Sequence, residues 1–242
     1  MKVEVLADAE SVAKKAAAVI AAVARSAKAA RGQFNMAVSG GHTPWLMLRD
    51  LANEDVPWQV VRVFQVDERV APAGDPDRNL THLRASLLES APLKADQIYA
   101  MPVEASELET AARQYAQTLC DIAGSPPILD LVHLGLGPDG HTASLVPGDP
   151  VLHVTDADVG LTGIYQGRRR MTLTYPVINR ARRILWLVTG AEKVEMLKRL
   201  CDADASIAAG RISSHDALVL ADQAAAGQCS DRSQRWTATQ AT

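Results

Sequence analysis

Short, mostly apolar runs alternate along the chain with stretches in which apolar positions recur every three or four residues. Residues 3–6, 34–38, 60–66, 128–134, 184–188 and 217–220 form the runs and read as strands. The runs at 128–134 and 184–188 are too apolar to have a wet face, as expected of strands covered on both sides in a parallel sheet. Between the first two runs, Val12, Ala16, Val19, Ile20 and Val23 share one helical stripe, with Asp8 at the N-cap and Gly32 beyond the end. Thr43 and Pro44 read as N-cap and first residue of a second helix. Further helices are expected around 80–88 and over 104–123, and an edge or antiparallel strand over 171–175. This alternation predicts an α/β fold: one three-layer domain with a mostly parallel, Rossmann-like sheet, spanning 1–226 and followed by a polar tail, 227–242.

Composition narrows the function classes. Hydrophobic residues make up 48% of the chain but aromatic ones only 4%, so the core is built from Ala, Val, Leu and Ile. A formal net charge of −3 gives no reason to expect nucleic acid or an anionic membrane as partner. Cys120, Cys201 and Cys229 are too scattered for a disulfide framework or a metal-ligand pattern. The N-terminus lacks the apolar core of a signal peptide, and no apolar segment approaches the ~20 residues that span a bilayer. A cytoplasmic protein, monomeric or weakly dimeric, is expected, with neither metal nor organic cofactor.

Candidate chemistry lies at or near the ends of the predicted elements, and the carboxyl ends of parallel strands share one edge. Gly135-Leu136-Gly137-Pro138-Asp139-Gly140-His141 follows a buried strand and carries a carboxylate two residues from an imidazole. Histidine is the side chain whose ordinary pKa suits proton transfer near neutrality. Ser39-Gly40-Gly41-His42-Thr43-Pro44 joins a strand to a helix, where exposed amides and the helix N-terminus favour an anion such as phosphate. Asp67 and Arg69, the basic run Arg168-Arg169-Arg170, and Lys193 after Thr189-Gly190 complete the set. Bland readings stand beside these: a tight turn, a surface ion pair, a solvated basic face, a lysine in water. Two other chemistries remain open. Ser39 is one glycine short of a nucleophile elbow, with His141 or His215 as its base. Residues 135–140 match the dinucleotide-binding G-x-G-x-x-G, with Asp156 or Asp158 downstream. His133, His153 and His215 have no partner at metal-ligand spacing and read as structural.

Taken together, SGGHTP, FQVDERVAP with Asn79 downstream, GLGPDGHTASLVPG, RRRMTLTYPVINRARRILWLVTGAEK and ALVLAD resemble the 6-phosphogluconolactonase family, which is related to the glucosamine-6-phosphate deaminases and isomerases. The matching segments cover about residues 34–222 in the family's order. The resemblance implies a deaminase/lactonase-like fold and metal-free hydrolysis of 6-phosphoglucono-1,5-lactone in the oxidative pentose phosphate pathway. It implies His141 as general base and Asp139 as the group that orients it. It further implies that Ser39, Gly40, Gly41 and Thr43 hold the 6-phosphate with Arg170 and Lys193, and that Asp67 and Arg69 line the sugar end, with Arg169 as the alternative to Arg170. The related deaminases carry a glutamate five residues after the histidine, where this chain has Val146. The lactonases often have Phe at that position and Ser where Arg78 precedes Asn79. The rival expectations are a glucosamine-6-phosphate deaminase and a non-catalytic sugar-phosphate-binding module.

Overall fold

A computed structural model describes residues 1–227; Cys229 and the rest of the polar tail lie outside the described residues. In chain order the elements are β1 (Lys2–Leu6), α1 (Ala9–Arg31), β2 (Phe34–Val38), α2 (His42–Leu51), β3 (Val61–Gln65), β4 (Asp67–Arg69), α3 (Asn79–Leu83), β5 (Ile98–Tyr99), α4 (Leu108–Ala123), β6 (Leu131–Gly135), β7 (Val159–Leu161), β8 (Arg170–Leu173), α5 (Tyr175–Asn179), β9 (Ile184–Val188), α6 (Val194–Cys201), β10 (Ala217–Asp222) and α7 (Gln223–Ala226). Seven strands pair side by side in the order β1-β10-β9-β6-β2-β3-β5. Every pairing in this sheet is parallel. β4, β8 and β7 form a separate antiparallel sheet.

Alternate residues of the central strands feed two cores. Ile184, Trp186 and Val188 of β9 join a core on one face with Tyr115 and Leu119 of α4, while Leu185 and Leu187 join a core on the other with α1 and α2. Burial on both faces explains why these strands show no polar alternation. Asp8 caps α1 by accepting the Ser11 N–H, and Gly32 ends it in the left-handed conformation at φ 73°. The contact stripe of α1 differs from the expected one. Val12, Ala13, Ala16, Ala17, Ile20, Ala21, Ala24 and Ala27 are buried, whereas Val19 and Val23 pack only at the flank. Small side chains let the helix lie close to the sheet and to α2.

Other boundaries also move. α2 begins at His42 with Gly41 as its N-cap, two residues ahead of the expected Thr43-Pro44 start. The run 60–66 breaks at Val66: its N–H donates to Val38 O and its carbonyl accepts from Leu173 N–H, bridging the two sheets, so Asp67–Arg69 forms a strand of its own. Residues 80–88 divide into α3 and a wider π turn, Arg84–Leu88. The expected helix over 104–123 starts at Leu108, and Glu104 pairs with Arg78 instead. Residues 170–173 are antiparallel as expected but central in the small sheet, and Tyr175 already belongs to α5.

From β2 the chain runs outward through β3 to β5, returns as β6 on the other side of β2, and continues outward through β9 and β10. The β2–β6 boundary is therefore where the strand order reverses. Ligands of open α/β sheets bind in the crevice at the carboxyl ends of strands flanking such a reversal. SGGHTP follows β2 and GLGPDGHT follows β6, so both loops open on that crevice.

Candidate active site

Asp67 ties the two loops together. Its Oδ1 accepts from Ser39 Oγ (3.2 Å) and its Oδ2 from Ser144 Oγ (2.6 Å), three residues after His141. The carboxylate is 4% exposed, and Asn79 Nδ2 donates both to Oδ1 (3.4 Å) and to the Asp67 carbonyl (2.9 Å). Asp67 is thus occupied by internal donors and acts as the clamp between the loops. Ser39 is held from beneath as well, because its N–H donates to His133 Nδ1 (3.2 Å). Burial pushes that imidazole down to about 3, so His133 stays neutral and acts as an acceptor.

Close packing explains the glycines. A Cβ on Gly40 would lie 2.0 Å from Asn79 Oδ1, and one on Gly137 would lie 2.1 Å from His141 Nδ1. Gly41, at φ 132°, starts α2, whose first turn has N–H groups with no intrahelical acceptor. Thr43 Oγ1 shares a 2.8 Å hydrogen bond with Thr189 Oγ1, which joins the SGGHTP loop to the turn after β9. Gly190 N–H in that turn donates to the Asp222 carboxylate (3.1 and 3.2 Å) at the end of β10. The next turn places Lys193, whose side chain is 17% exposed and lies 3.7 Å from Glu192.

His141 Nδ1 meets Asp139 Oδ1 at 2.5 Å, and the His141 backbone N–H reaches the same oxygen at 3.1 Å. Donation from Nδ1 leaves Nε2 with its lone pair, the form needed to accept a proton. Asp139 Oδ2 accepts from Tyr165 Oη at 3.0 Å. Partial burial works against ionisation of Asp139, but the His141 backbone and ring and the Tyr165 hydroxyl outweigh it, holding the carboxyl below its ordinary value. The loop is braced from below: Ala209 N–H donates to Gly140 O, and Tyr175 Oη donates to Ala208 O.

The three consecutive arginines have separate fates. Arg168 pairs with Asp75 and Asp77, and Arg169 with Glu109. Arg170 is 5% exposed and stands opposite Arg69 in the β4–β8 pairing. Its guanidinium lies over the Tyr165 ring and donates to Gln166, while its Nε is buried with no hydrogen-bond partner among the described residues. Burial first, then the Arg69 charge, brings Arg170 below its ordinary value. Two guanidiniums held together at partial desolvation favour an added anion. Arg69 itself donates to Asp77 O (2.7 Å) and Asn79 Oδ1 (2.8 Å).

Tyr165, Ser144 and Asn79 therefore belong to the same cluster as the expected residues. Asn79 and Ser144 lie within or beside the family's motifs, though neither is singled out there by a role of its own; Tyr165 lies outside all of them. Two of the alternative chemistries lose their geometry. Ser39 Oγ donates to a carboxylate and has no histidine at its oxygen, and His215 is exposed beside Asp216. Residues 136–141 run through turns and open no α-helix, so no helix N-terminus is available there for a pyrophosphate. Among the described residues, no group of three or more His, Cys, Asp or Glu is placed to hold a metal ion. No helix among them is long and apolar enough to cross a membrane.

Comparison with known proteins bears on the family and the fold. The family described as glucosamine-6-phosphate isomerases/6-phosphogluconolactonase matches residues 7–220. The chain is 38% identical over 200 residues to the 6-phosphogluconolactonase of Synechocystis sp., covering 81% of this chain and 83% of that one. It is 32% identical over 241 residues to the 6-phosphogluconolactonase of Streptomyces coelicolor, covering 91% and 92%. The crystal structure of 6-phosphogluconolactonase from Thermotoga maritima shares the fold with a TM-score of 0.81 at 23% identity, covering 91% of this chain and 98% of that one. A monomeric glucosamine-6-phosphate deaminase shares it equally, with a TM-score of 0.81 at 20% identity, covering 93% and 99%.

Proposed function

Since the chain belongs to the glucosamine-6-phosphate isomerase/6-phosphogluconolactonase family, we propose that it is a lactone hydrolase converting 6-phospho-D-glucono-1,5-lactone to 6-phospho-D-gluconate. The observation that carries this reading is the Asp139–His141 pair, linked through Ser144 and Asp67 to the anion loop at Ser39. A base and a phosphate cradle are thereby held in one crevice.

In the proposed reaction, His141 Nε2 takes a proton from water as the water oxygen bonds to the lactone carbonyl carbon. Asp139 stabilises the imidazolium through Nδ1. The tetrahedral intermediate collapses with cleavage of the bond from that carbon to the ring oxygen, which takes the proton back from His141. A lactone is an activated ester, so a placed base and charge stabilisation suffice without a covalent nucleophile. Ser39, Gly40, Gly41 and Thr43 bind the 6-phosphate, and Arg170 and Lys193 neutralise it. Asp67 and Arg69 wall the sugar end. The phosphate, remote from the carbonyl, contributes binding energy that places the ester beside His141.

The deaminase reading is disfavoured at Val146, which is 3% exposed and cannot carry a proton where the deaminases have glutamate. The test follows acid release from freshly prepared lactone. His141→Ala is expected to lower kcat by ~10²-fold or more while binding of 6-phosphogluconate persists. Ammonia release from glucosamine 6-phosphate, with no lactone turnover, would reverse the assignment.

A further inference from the structure

Asp139 sits on an open loop with its side chain 37% exposed, and a carboxylate there rotates easily about its terminal torsion. A general base oriented by such a group is only as well placed as the group itself. The His141 backbone N–H restrains Oδ1, and the hairpin between β7 and β8 restrains the other oxygen. Tyr165 Oη donates to Asp139 Oδ2 at 3.0 Å, on the oxygen that His141 does not use. The Tyr165 ring meets the His141 ring edge-on, with centroids 5.7 Å apart and planes at 68°. Its face carries the Arg170 guanidinium, whose central carbon is 4.9 Å from the ring centroid.

We propose that Tyr165 is a positioning residue that aligns the Asp139–His141 pair for proton transfer and, through its ring, seats Arg170 for the substrate phosphate. This rests on the lactonase reading of the same site. The phenol remains a donor: burial, and then the Asp139 carboxylate, raise its pKa above the ordinary value. The hairpin itself is well anchored. Tyr165 and Arg168 exchange backbone hydrogen bonds (3.0 and 3.3 Å) around Gln166 and Gly167, both at positive φ, as a two-residue hairpin turn of type I′ requires. Arg168 then fastens the hairpin to Asp75 and Asp77, each at 3.0 Å. Gln166 accepts from Arg170 Nη2 (3.0 Å), so the same turn holds that guanidinium at a second point.

The ring and the hydroxyl can be tested separately in the full chain, with 6-phosphogluconolactone and unphosphorylated glucono-1,5-lactone as substrates. Tyr165→Phe keeps the ring and loses the donor. It is expected to lower kcat about 5–10-fold on both lactones, with KM and melting temperature unchanged. Tyr165→Leu also removes the ring, and is expected to add a rise in KM for the phosphorylated lactone alone. Wild-type kcat in Tyr165→Phe, or a loss of kcat that tracks a loss of melting temperature, would overturn the proposal while leaving His141 as base. Full activity in His141→Ala would overturn the base assignment itself, and Tyr165 with it.

Discussion

A methyl group at position 40 has no space, because Asn79 Oδ1 would be 2.0 Å from it and Asn79 is itself bound to Arg69 and Asp67. Gly40→Ala is therefore expected to displace the amide and loosen the Arg69–Asn79–Asp67 chain. The expected cost is about 1–3 kcal/mol of stability, from overpacking a well-filled site. A several-fold higher KM should accompany it, and thermal melts with initial-rate kinetics measure both. The arginine run shows why single residues were hard to place in advance. Strand alternation puts neighbours on opposite sides, but its phase depends on where β8 begins, and β8 begins at Arg170 itself. Only the hairpin turn before it sends Arg168 to the acidic loop and Arg170 inward.

Elements here are shaped by what they pack against. α1 presents Ala13, Ala16, Ala17, Ala21, Ala24 and Ala27 to the core, all at most 1% exposed. Ala17→Leu puts three more carbons into that contact, so a loss of about 1–3 kcal/mol in urea unfolding is expected, with activity at room temperature retained. α3 is too short to stand by propensity and is held at its start by Glu68. This carboxylate is fully buried and takes the N–H groups of Asn79 and Leu80, each at 2.8 Å. Arg78, also buried, lies between Glu68 and Glu104, so the arginine that departs from the family's usual serine is neutralised inside the loop.

At the scale of the whole molecule, a histidine buried neutral makes stability depend on pH. His133 has an imidazole lowered to about 3 in the folded chain and an ordinary value of 6.5 when unfolded. Between these values the unfolded state binds more protons, so stability falls as pH drops from 6.5 towards 3. From pH 6.5 to pH 5 this one residue contributes a loss of about 2 kcal/mol. Urea unfolding at the two pH values should show that loss in the wild type and a correspondingly smaller one in His133→Leu. An equal pH dependence in the two proteins would mean that His133 is protonated in the fold.

The strands at 34–38 and 184–188, the caps Asp8 and Gly32, the α/β class and the loops bearing Ser39 and His141 were all legible in the sequence, because each rests on local periodicity or local backbone chemistry. So was family membership, carried by residue types in order. Strand order, the small antiparallel sheet and the two-residue strand at Ile98–Tyr99 were not, since pairing partners far along the chain decide them. Val66 reads as part of one apolar run, yet its two backbone bonds send it to two sheets. Asp67 reads as half of a surface ion pair or as a substrate contact, yet folding surrounds it with three donors from separate segments. Tyr165 stands outside every motif because its meaning lies in what it touches: a carboxylate, an imidazole and a guanidinium supplied by other parts of the chain. Local pattern chose the parts; burial and hydrogen bonds between distant segments decided which of them meet.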